Sequence, residues 1–199
     1  MTLAALLISP DDAHRITERF RAVTGRRDEI KGSRIDLGER AFLIELLAQT
    51  DARAMIGIAL SATRPGPGED RGLHDLHVYA ALLDTVVQRL LPDLVDCPHV
   101  LIDDGRYGDG VMALIRADVA ARLGTCGSAN MALSHDADGL QLADVLANTF
   151  FTRALPGDRQ ARMAALVQPF IDAGRFEMQI LSAEAQRNYE QRKEQQGSS

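Results

Sequence analysis

Short apolar runs alternate along the chain with longer segments in which apolar residues recur every three or four positions. This pattern predicts strands alternating with helices, and therefore an α/β fold. Strands are expected at 3–8, 54–60, 100–102, 129–134 and, as an extended piece, 176–181. Helices are expected at 11–24, 39–49, 73–91, 110–123, 140–151 and 158–173.

One of the apolar runs ends at two adjacent carboxylates. Val100, Leu101 and Ile102 precede Asp103 and Asp104, with a glycine directly after them. The pattern is typical of a buried central strand that ends at a site, because open α/β sheets bind ligands at the carboxyl ends of their strands. Two adjacent aspartates repel each other and need a metal ion, an arginine or a helix N-terminus nearby. The alternative is a strand followed by an Asp-Gly turn.

A charged segment between the first two predicted helices lacks helical or strand periodicity and is expected to be a loop. Glu29 lies there among the bases Arg26, Arg27, Lys31 and Arg34. A carboxylate set among bases suits phosphate chemistry, in which the acid holds a metal and the bases hold the polyanion. The alternative is a solvated loop whose charges pair with one another.

The predicted helix at 140–151 carries a third acid, Asp144, in its first turns. One apolar face is expected to comprise Leu140, Ala143, Leu146, Ala147 and Phe150. A carboxylate buried alone would shift its pKa and become neutral. Asp144 is therefore expected to face a ligand, a metal or a cation.

Composition narrows the partners and the compartment. The 199 residues suit one domain, expected over 1–182 and followed by a polar helix and tail at 183–199. A net charge of −6 argues against a broad basic face, so any contact with nucleic acid is expected to be local. Two cysteines without CxxC spacing, no secretory leader and no long apolar run predict unpaired thiols, a cytoplasmic location and no membrane span.

Three acids far apart in the chain thus predict a cation site made of carboxylates. Glu29, Asp103 and Asp144 offer oxygen ligands, which select hard cations such as Mg²⁺ or Mn²⁺. Two such ions about 4 Å apart can activate water and stabilise the leaving oxygen in phosphodiester cleavage. Neither a Gly-x-Ser-x-Gly elbow nor an evident cysteine nucleophile motif is present, which disfavours covalent hydrolysis.

Three ordered motifs resemble those of a known family. They are Glu-Ile-Lys-Gly-Ser-Arg at 29–34, Val-Leu-Ile-Asp-Asp at 100–104 and Leu-Gln-Leu-Ala-Asp at 140–144. The family is an uncharacterised bacterial domain-of-unknown-function group with a ribonuclease H-like fold, whose members usually open with an Asp-Glu-Ser-Gly strand. The resemblance covers most of residues 3–152. It implies a ribonuclease H-like mixed sheet flanked by helices and a metal-dependent nuclease-type site.

The same resemblance implies roles for individual residues. The metal-ligand candidates are Glu29, Asp103 and Asp144, with Asp104 as the alternative if the strand register is shifted. Lys31 would hold phosphate or orient Glu29. Gln141 would line the pocket, and the substrate-binding set is Arg26, Arg27, Arg34 and Gln141.

The chain departs from the family at its first strand, because the Asp-Glu-Ser-Gly strand has no counterpart. In a ribonuclease H-like sheet that strand is central and lies beside the strand that ends at Asp103. We expect a truncated sequence, a degenerate site, or a gap filled by a partner or another segment. An unpaired edge would favour strand exchange or a homodimer.

Two hypotheses of function follow. The first is a divalent-metal phosphodiesterase acting on nucleic acid, in mobile-element or defence contexts. The second is a catalytically inactive ribonuclease H-like module that binds a protein or nucleic-acid partner.

Overall fold

The computed structural model describes residues 1–60, 70–93, 97–104 and 107–181. The strands are β1 (Thr2–Leu7), β2 (Arg53–Ala59), β3 (His99–Asp103), β4 (Ser128–Ala132) and β5 (Phe176–Leu181). The helices are α1 (Pro10–Thr24), α2 (Leu37–Ala48), α3 (Arg71–Leu90), α4 (Asp109–Arg122), α5 (Asp138–Ala154) and α6 (Asp158–Asp172). The predicted α/β class is confirmed, and each predicted element within these ranges is present. The polar helix expected in 183–199 lies outside the described residues.

Local sequence signals explain where the first helix begins and ends. The Ser9 hydroxyl accepts the N–H of Asp12 at 3.1 Å, and Pro10 occupies the first turn, where its missing N–H costs nothing. Gly25 ends the helix in the left-handed conformation at φ 73°, which a residue without a side chain adopts freely. The chain then enters the charged segment that carries Glu29.

The strands form two sheets rather than the single mixed sheet that the sequence predicts. β1 pairs antiparallel with β2, and β2 pairs parallel with β5. β3 and β4 form a separate parallel pair, with Asp103 opposite Ala132. Within the described ranges, β1 pairs only with β2 and β3 only with β4, so each has an edge that faces no partner strand.

The prediction that β3 is a buried central strand is therefore wrong. Ile102 is buried at 3% exposure, whereas Leu101 is 48% exposed. Val100 and Ile102 pack under α3 and α4, but the opposite face of this two-stranded sheet has little cover. A run of three aliphatic residues occurs both in strands that are covered on two faces and in strands that are covered on one. The run alone therefore does not distinguish the two cases.

Two apolar clusters hold the layers together. The first packs one face of the β1–β2–β5 sheet against α1, α2, α5 and α6. The second lies under α3 and α4 and joins the other face of that sheet to the β3–β4 pair. Side chains along β1 alternate between the two faces of the sheet, so Leu6 packs in the first cluster and Leu3 in the second. The two sheets thus share a common helical cover formed by α3 and α4, and α5 contacts both β1 and β3.

The buried side of α5 is broader than the sequence predicts. The buried residues are Gln141, Leu142, Val145, Leu146, Thr149 and Phe150, whereas Leu140, Ala143 and Ala147 are only half-buried. Leu146 and Phe150 of the expected face are buried, but the buried surface extends from them toward Gln141, Val145 and Thr149, because α5 packs against α1, α6 and β1. A helix with neighbours on several sides buries more than one stripe.

Two smaller expectations concern the membrane and the thiols. Across the described part of the chain, none of the helices combines the length and apolar character needed to cross a bilayer. Cys97 and Cys126 are both exposed and are not joined by a disulfide bond.

Candidate functional site

The segment at 29–32 docks on α5 by alternate residues. Ile30 is fully buried in the first apolar cluster, and its N–H donates to the Gln141 Oε1 at 2.9 Å. The Gly32 N–H donates to the Asp144 Oδ2 at 2.7 Å. The side chains of Lys31 and Glu29 are 38% and 17% exposed. The loop and the helix that carry two of the predicted acids are thus joined directly.

Glu29 reaches the end of β4. Its carboxylate accepts a hydrogen bond from the hydroxyl of Ser134, which lies in the single turn Ser134–Asp136 after that strand. The Lys31 Nζ lies 3.1 Å from the Glu29 Oε2. The Ser134 hydroxyl, and secondarily Lys31, hold the pKa of Glu29 below its ordinary value, although partial burial opposes them. Glu29 is therefore an ionised acid at neutral pH.

This contact predicts a pH-dependent contribution to stability. A carboxyl whose pKa is lowered by folding stabilises the folded state above its unfolded pKa, and the contribution is lost as pH falls through the folded value. Ser134→Ala should therefore cost about 1–2 kcal/mol at pH 7. The difference in the free energy of unfolding between Ser134→Ala and the parent protein should become smaller as the pH falls. Urea unfolding between pH 7 and pH 3 measures it.

Ser33→Ala is the matched control, since Ser33 is exposed and lies one residue beyond the docked segment. It should leave stability unchanged. A Ser134→Ala deficit that stays constant from pH 7 to pH 3 would show that the hydroxyl does not act through the ionised Glu29.

Asp144 lines a cleft bordered by α5, the start of β1 and α3. The cleft has a volume of about 410 Å³, and its lining comprises Met1, Thr2, Asp75, Asp144, Ala147, Asn148 and Phe151. Asp144 is exposed and so is not buried alone, and its facing a ligand, a metal or a cation stays a prediction. Its carboxylate is oriented by the Gly32 N–H and open to solvent, a position suited to contact with a ligand.

Asp103 and Asp104 lie at the carboxyl end of β3. Since Ile102 points toward α3 and α4, strand alternation directs Asp103 to the opposite face of the strand, where it is exposed. The Asp104 N–H donates to the Ala132 carbonyl at 3.1 Å and so extends the ladder by one residue. Ala132 lies two residues before Ser134, so Asp103 and Glu29 lie at the same end of the β3–β4 pair.

The predicted substrate-binding arginines have different environments. Arg26 forms a two-pronged pair with Glu39, at 2.6 and 2.9 Å, and also donates to the Arg34 carbonyl. That pair fixes the loop against α2, because Glu39 also completes the hydrogen bonds at the start of the helix. Arg27 and Arg34 are exposed on the same loop. Arg26 therefore has an evident structural task, whereas Arg27 and Arg34 remain available to solvent.

Gln141 is 1% exposed and links three elements. Its Oε1 accepts from the Ile30 N–H and, at 3.2 Å, from Arg21 of α1. Because both partners are donors, the oxygen assignment is unambiguous. The amide nitrogen Nε2 is buried and has no hydrogen-bond partner among the residues that the structure describes. The pocket-lining role of Gln141 stays a prediction, and its observed contacts hold the 29–32 segment on α5.

Sequence reasoning missed Arg40 and Ser134. Arg40 of α2 is 5% exposed and donates to Gly32, Val145, Asn148 and Thr149. A signal for it existed, because a charged residue three positions before Leu43 falls on the apolar stripe of α2. Ser134 carried no comparable signal, because its role depends on a contact with a residue 105 positions away.

The chemistry of the acids suits a hard cation, but their arrangement is not a compact metal cage. In the described ranges, no group of three or more His, Cys, Asp or Glu side chains is placed so that it could hold a metal ion. Glu29 and Asp144 are linked through the 29–32 segment. Asp103 lies opposite Ala132, two residues before the Ser134 that Glu29 contacts. The site is an assembly of oxygen donors from three segments rather than a completed coordination sphere.

Fold and site together define a mixed α/β protein with two small sheets and a carboxylate-rich strand end. Comparisons with protein-family models, with curated proteins and with solved structures found no match to this chain. The resemblance to the ribonuclease H-like family therefore rests on the three sequence motifs alone and stays a prediction.

Proposed function

We propose that the chain is a divalent-metal-dependent phosphodiesterase of ribonuclease H-like type that acts on nucleic acid. The observation that carries this proposal is the docking of the 29–32 segment on α5. That docking joins Glu29, which reaches the end of β4, to Asp144 through the Gly32 N–H. Glu29 thereby lies at the carboxyl end of a parallel strand pair, where α/β proteins bind ligands, and Asp144 is linked to it through the 29–32 segment.

The proposed roles follow from the observed surroundings. Glu29, Asp103 and Asp144 would hold Mg²⁺ or Mn²⁺, with Asp104 as the alternative ligand. Such an ion would lower the pKa of a bound water and offset charge on the phosphodiester. Lys31, beside Glu29 and 38% exposed, is suited both to orient that carboxylate and to contact a phosphate.

Nucleic acid would contact a limited surface. Arg27 and Arg34 are exposed on the loop that carries Glu29, in a molecule of net charge −6. Locally placed cations can hold one strand of a polyanion while the rest of an acidic surface repels it. This supports a narrow contact around the loop rather than a wide binding face.

A further part of the proposal is a strand supplied by a partner or by a second copy. Its support is the pair of strand edges on β1 and β3, under shared helical cover, with the cleft beside β1. Exposed strand edges are templates for pairing with another chain. A strand added to the β3 edge would lie next to Asp103.

The second candidate function is a catalytically inactive module that binds a protein or nucleic-acid partner. Two observations favour it. The Glu29 carboxylate already accepts a hydrogen bond from Ser134 and forms an ion pair with Lys31. In addition, the part of the chain that the structure describes holds no three-group metal cluster.

Metal titration separates the two functions. For the phosphodiesterase, we expect calorimetry to detect Mn²⁺ binding and the melting temperature to rise with Mn²⁺ by mass action. We also expect Mn²⁺-dependent cleavage of labelled single-stranded or double-stranded DNA or RNA. An absence of binding heat, of a thermal shift and of cleavage with either Mn²⁺ or Mg²⁺ would overturn the proposal and favour the inactive module.

A further inference from the structure

A buried arginine closes the junction between the loop and the helix of the proposed site. Arg40 lies on α2, outside both segments that carry acids, and is 5% exposed. One end of its guanidinium donates to the Gly32 carbonyl and to the Asn148 Oδ1. The other end donates to the Thr149 hydroxyl at 2.6 Å and to the Val145 carbonyl at 3.3 Å. One side chain thus bridges the docked segment and two turns of α5.

Packing alone does not require a charged side chain at position 40. Burial lowers the pKa of this guanidinium, and its hydrogen-bond partners are neutral oxygens. A buried ion costs free energy unless its hydrogen bonds are satisfied, and an apolar side chain of similar volume often packs as well. The benefit of arginine at this position is geometric, because its planar fork fixes several acceptors at once.

Gly32 contacts both the Arg40 guanidinium and the Asp144 carboxylate. Its carbonyl accepts from Arg40 while its N–H donates to Asp144, so one peptide segment is held from both sides. The Arg40 charge is also attracted to Asp144. Loss of the fork would release the Gly32 carbonyl and allow the 29–32 segment to move relative to Asp144.

We infer that Arg40 is a positioning residue for the proposed metal site, setting the separation of Glu29 from Asp144 without touching substrate. The inference rests on the proposed function. It makes the site depend on α2 as well as on the acid-bearing segments. It also distinguishes Arg40 from Arg26, whose pairing with Glu39 anchors the other end of the same loop.

The experiment compares Arg40→Met and Arg40→Lys with the parent protein. Two readouts are measured on each folded protein: Mn²⁺ affinity by calorimetry and exchange of the Gly32 amide by NMR. Arg40→Met should weaken Mn²⁺ binding about 10-fold or more, as expected for a residue that orients a ligand. It should also speed Gly32 exchange relative to amides in β2. Arg40→Lys keeps the charge but not the planar fork. Its stability should therefore lie closer to that of the parent protein than its Mn²⁺ affinity does.

Arg175→Met is the matched control. Arg175 also donates to backbone carbonyls, including Leu47 and Ala52, but it lies at the end of α2 away from the acids. It should lower the melting temperature without changing Mn²⁺ affinity or local Gly32 exchange.

The outcomes separate the inference from the function on which it rests. Parent-like Mn²⁺ affinity and Gly32 exchange in Arg40→Lys and Arg40→Met would show that Arg40 only packs, which overturns the inference. If Arg40→Met does not fold, Arg40→Lys alone decides by the same two readouts. Absence of Mn²⁺ binding in the parent protein overturns the proposed function, and with it the metal-site role. Faster exchange of the Gly32 amide in the Arg40 variants would then still show that Arg40 holds the 29–32 segment on α5.

Discussion

Asp144→Asn and Asp103→Asn should each reduce Mn²⁺-dependent phosphodiester cleavage by about 100-fold or more. Removal of a residue that merely orients a metal ligand costs about 10–100-fold, so loss of a ligand should cost at least the upper end of that range. Asparagine keeps the shape of aspartate but removes the charge that attracts a divalent ion. Its amide oxygen can still accept the Gly32 N–H, so Asp144→Asn should stay folded.

The measurements are cleavage rate and Mn²⁺ affinity on proteins whose melting curves match the parent. Asp158→Asn is the control, because Asp158 is an exposed acid at the start of α6, away from the three motifs. It should behave as the parent does. Parent-like cleavage in both site variants would exclude these two carboxylates as ligands and remove the basis of the enzyme proposal.

Most helices and strands could be predicted because their signals are local. In α1, Ile16 and Phe20 lie on the inner face as their spacing predicts, although Val23 on the same predicted face is exposed, and Ser9 and Gly25 mark the ends. β1 was predictable as an aliphatic run that ends before Ser9. Such patterns depend only on residues within a few turns of one another.

The pairing of strands was not predictable in the same way. β3 carries the apolar run expected of a central strand, yet its contacts place it in a separate two-stranded sheet with an exposed Leu101. Periodicity tells which residues favour burial, but the number of covered faces depends on the neighbouring elements. For α5, the same limitation made the predicted face too narrow, since α1, α6 and β1 surround it.

The acids of the candidate site were recognisable, but their partners were not. Asp103 stood out as a carboxylate at the end of an apolar strand, and Asp144 as a charge in an apolar helix. Their surroundings depend on contacts across more than 100 residues, including Gly32 with Asp144 and Ser134 with Glu29. No local pattern encodes such pairs, which is why the metal-ligand role of these acids still needs a direct test.

Gly32→Ala should both destabilise the protein and weaken Mn²⁺ binding. A Cβ built at Gly32 would lie 2.5 Å from the Asn148 Cβ and 3.0 Å from the Asp144 carbonyl oxygen. Both neighbours belong to the α5 backbone region and cannot turn aside as a flexible side-chain end could. We expect a loss of about 1–3 kcal/mol in the free energy of unfolding, as for other insertions into packed interiors.

The effect on the metal follows from the same contact. A loop pushed away from α5 loses the Gly32 N–H bond to Asp144 and carries Glu29 away from it. Gly110→Ala, in α4 with open space around it, is the control and should leave Mn²⁺ affinity unchanged while stabilising the helix slightly. Urea unfolding and Mn²⁺ calorimetry decide between the outcomes. If Gly32→Ala keeps the parent's stability and affinity, the docking of the 29–32 segment on α5 is not what assembles the site.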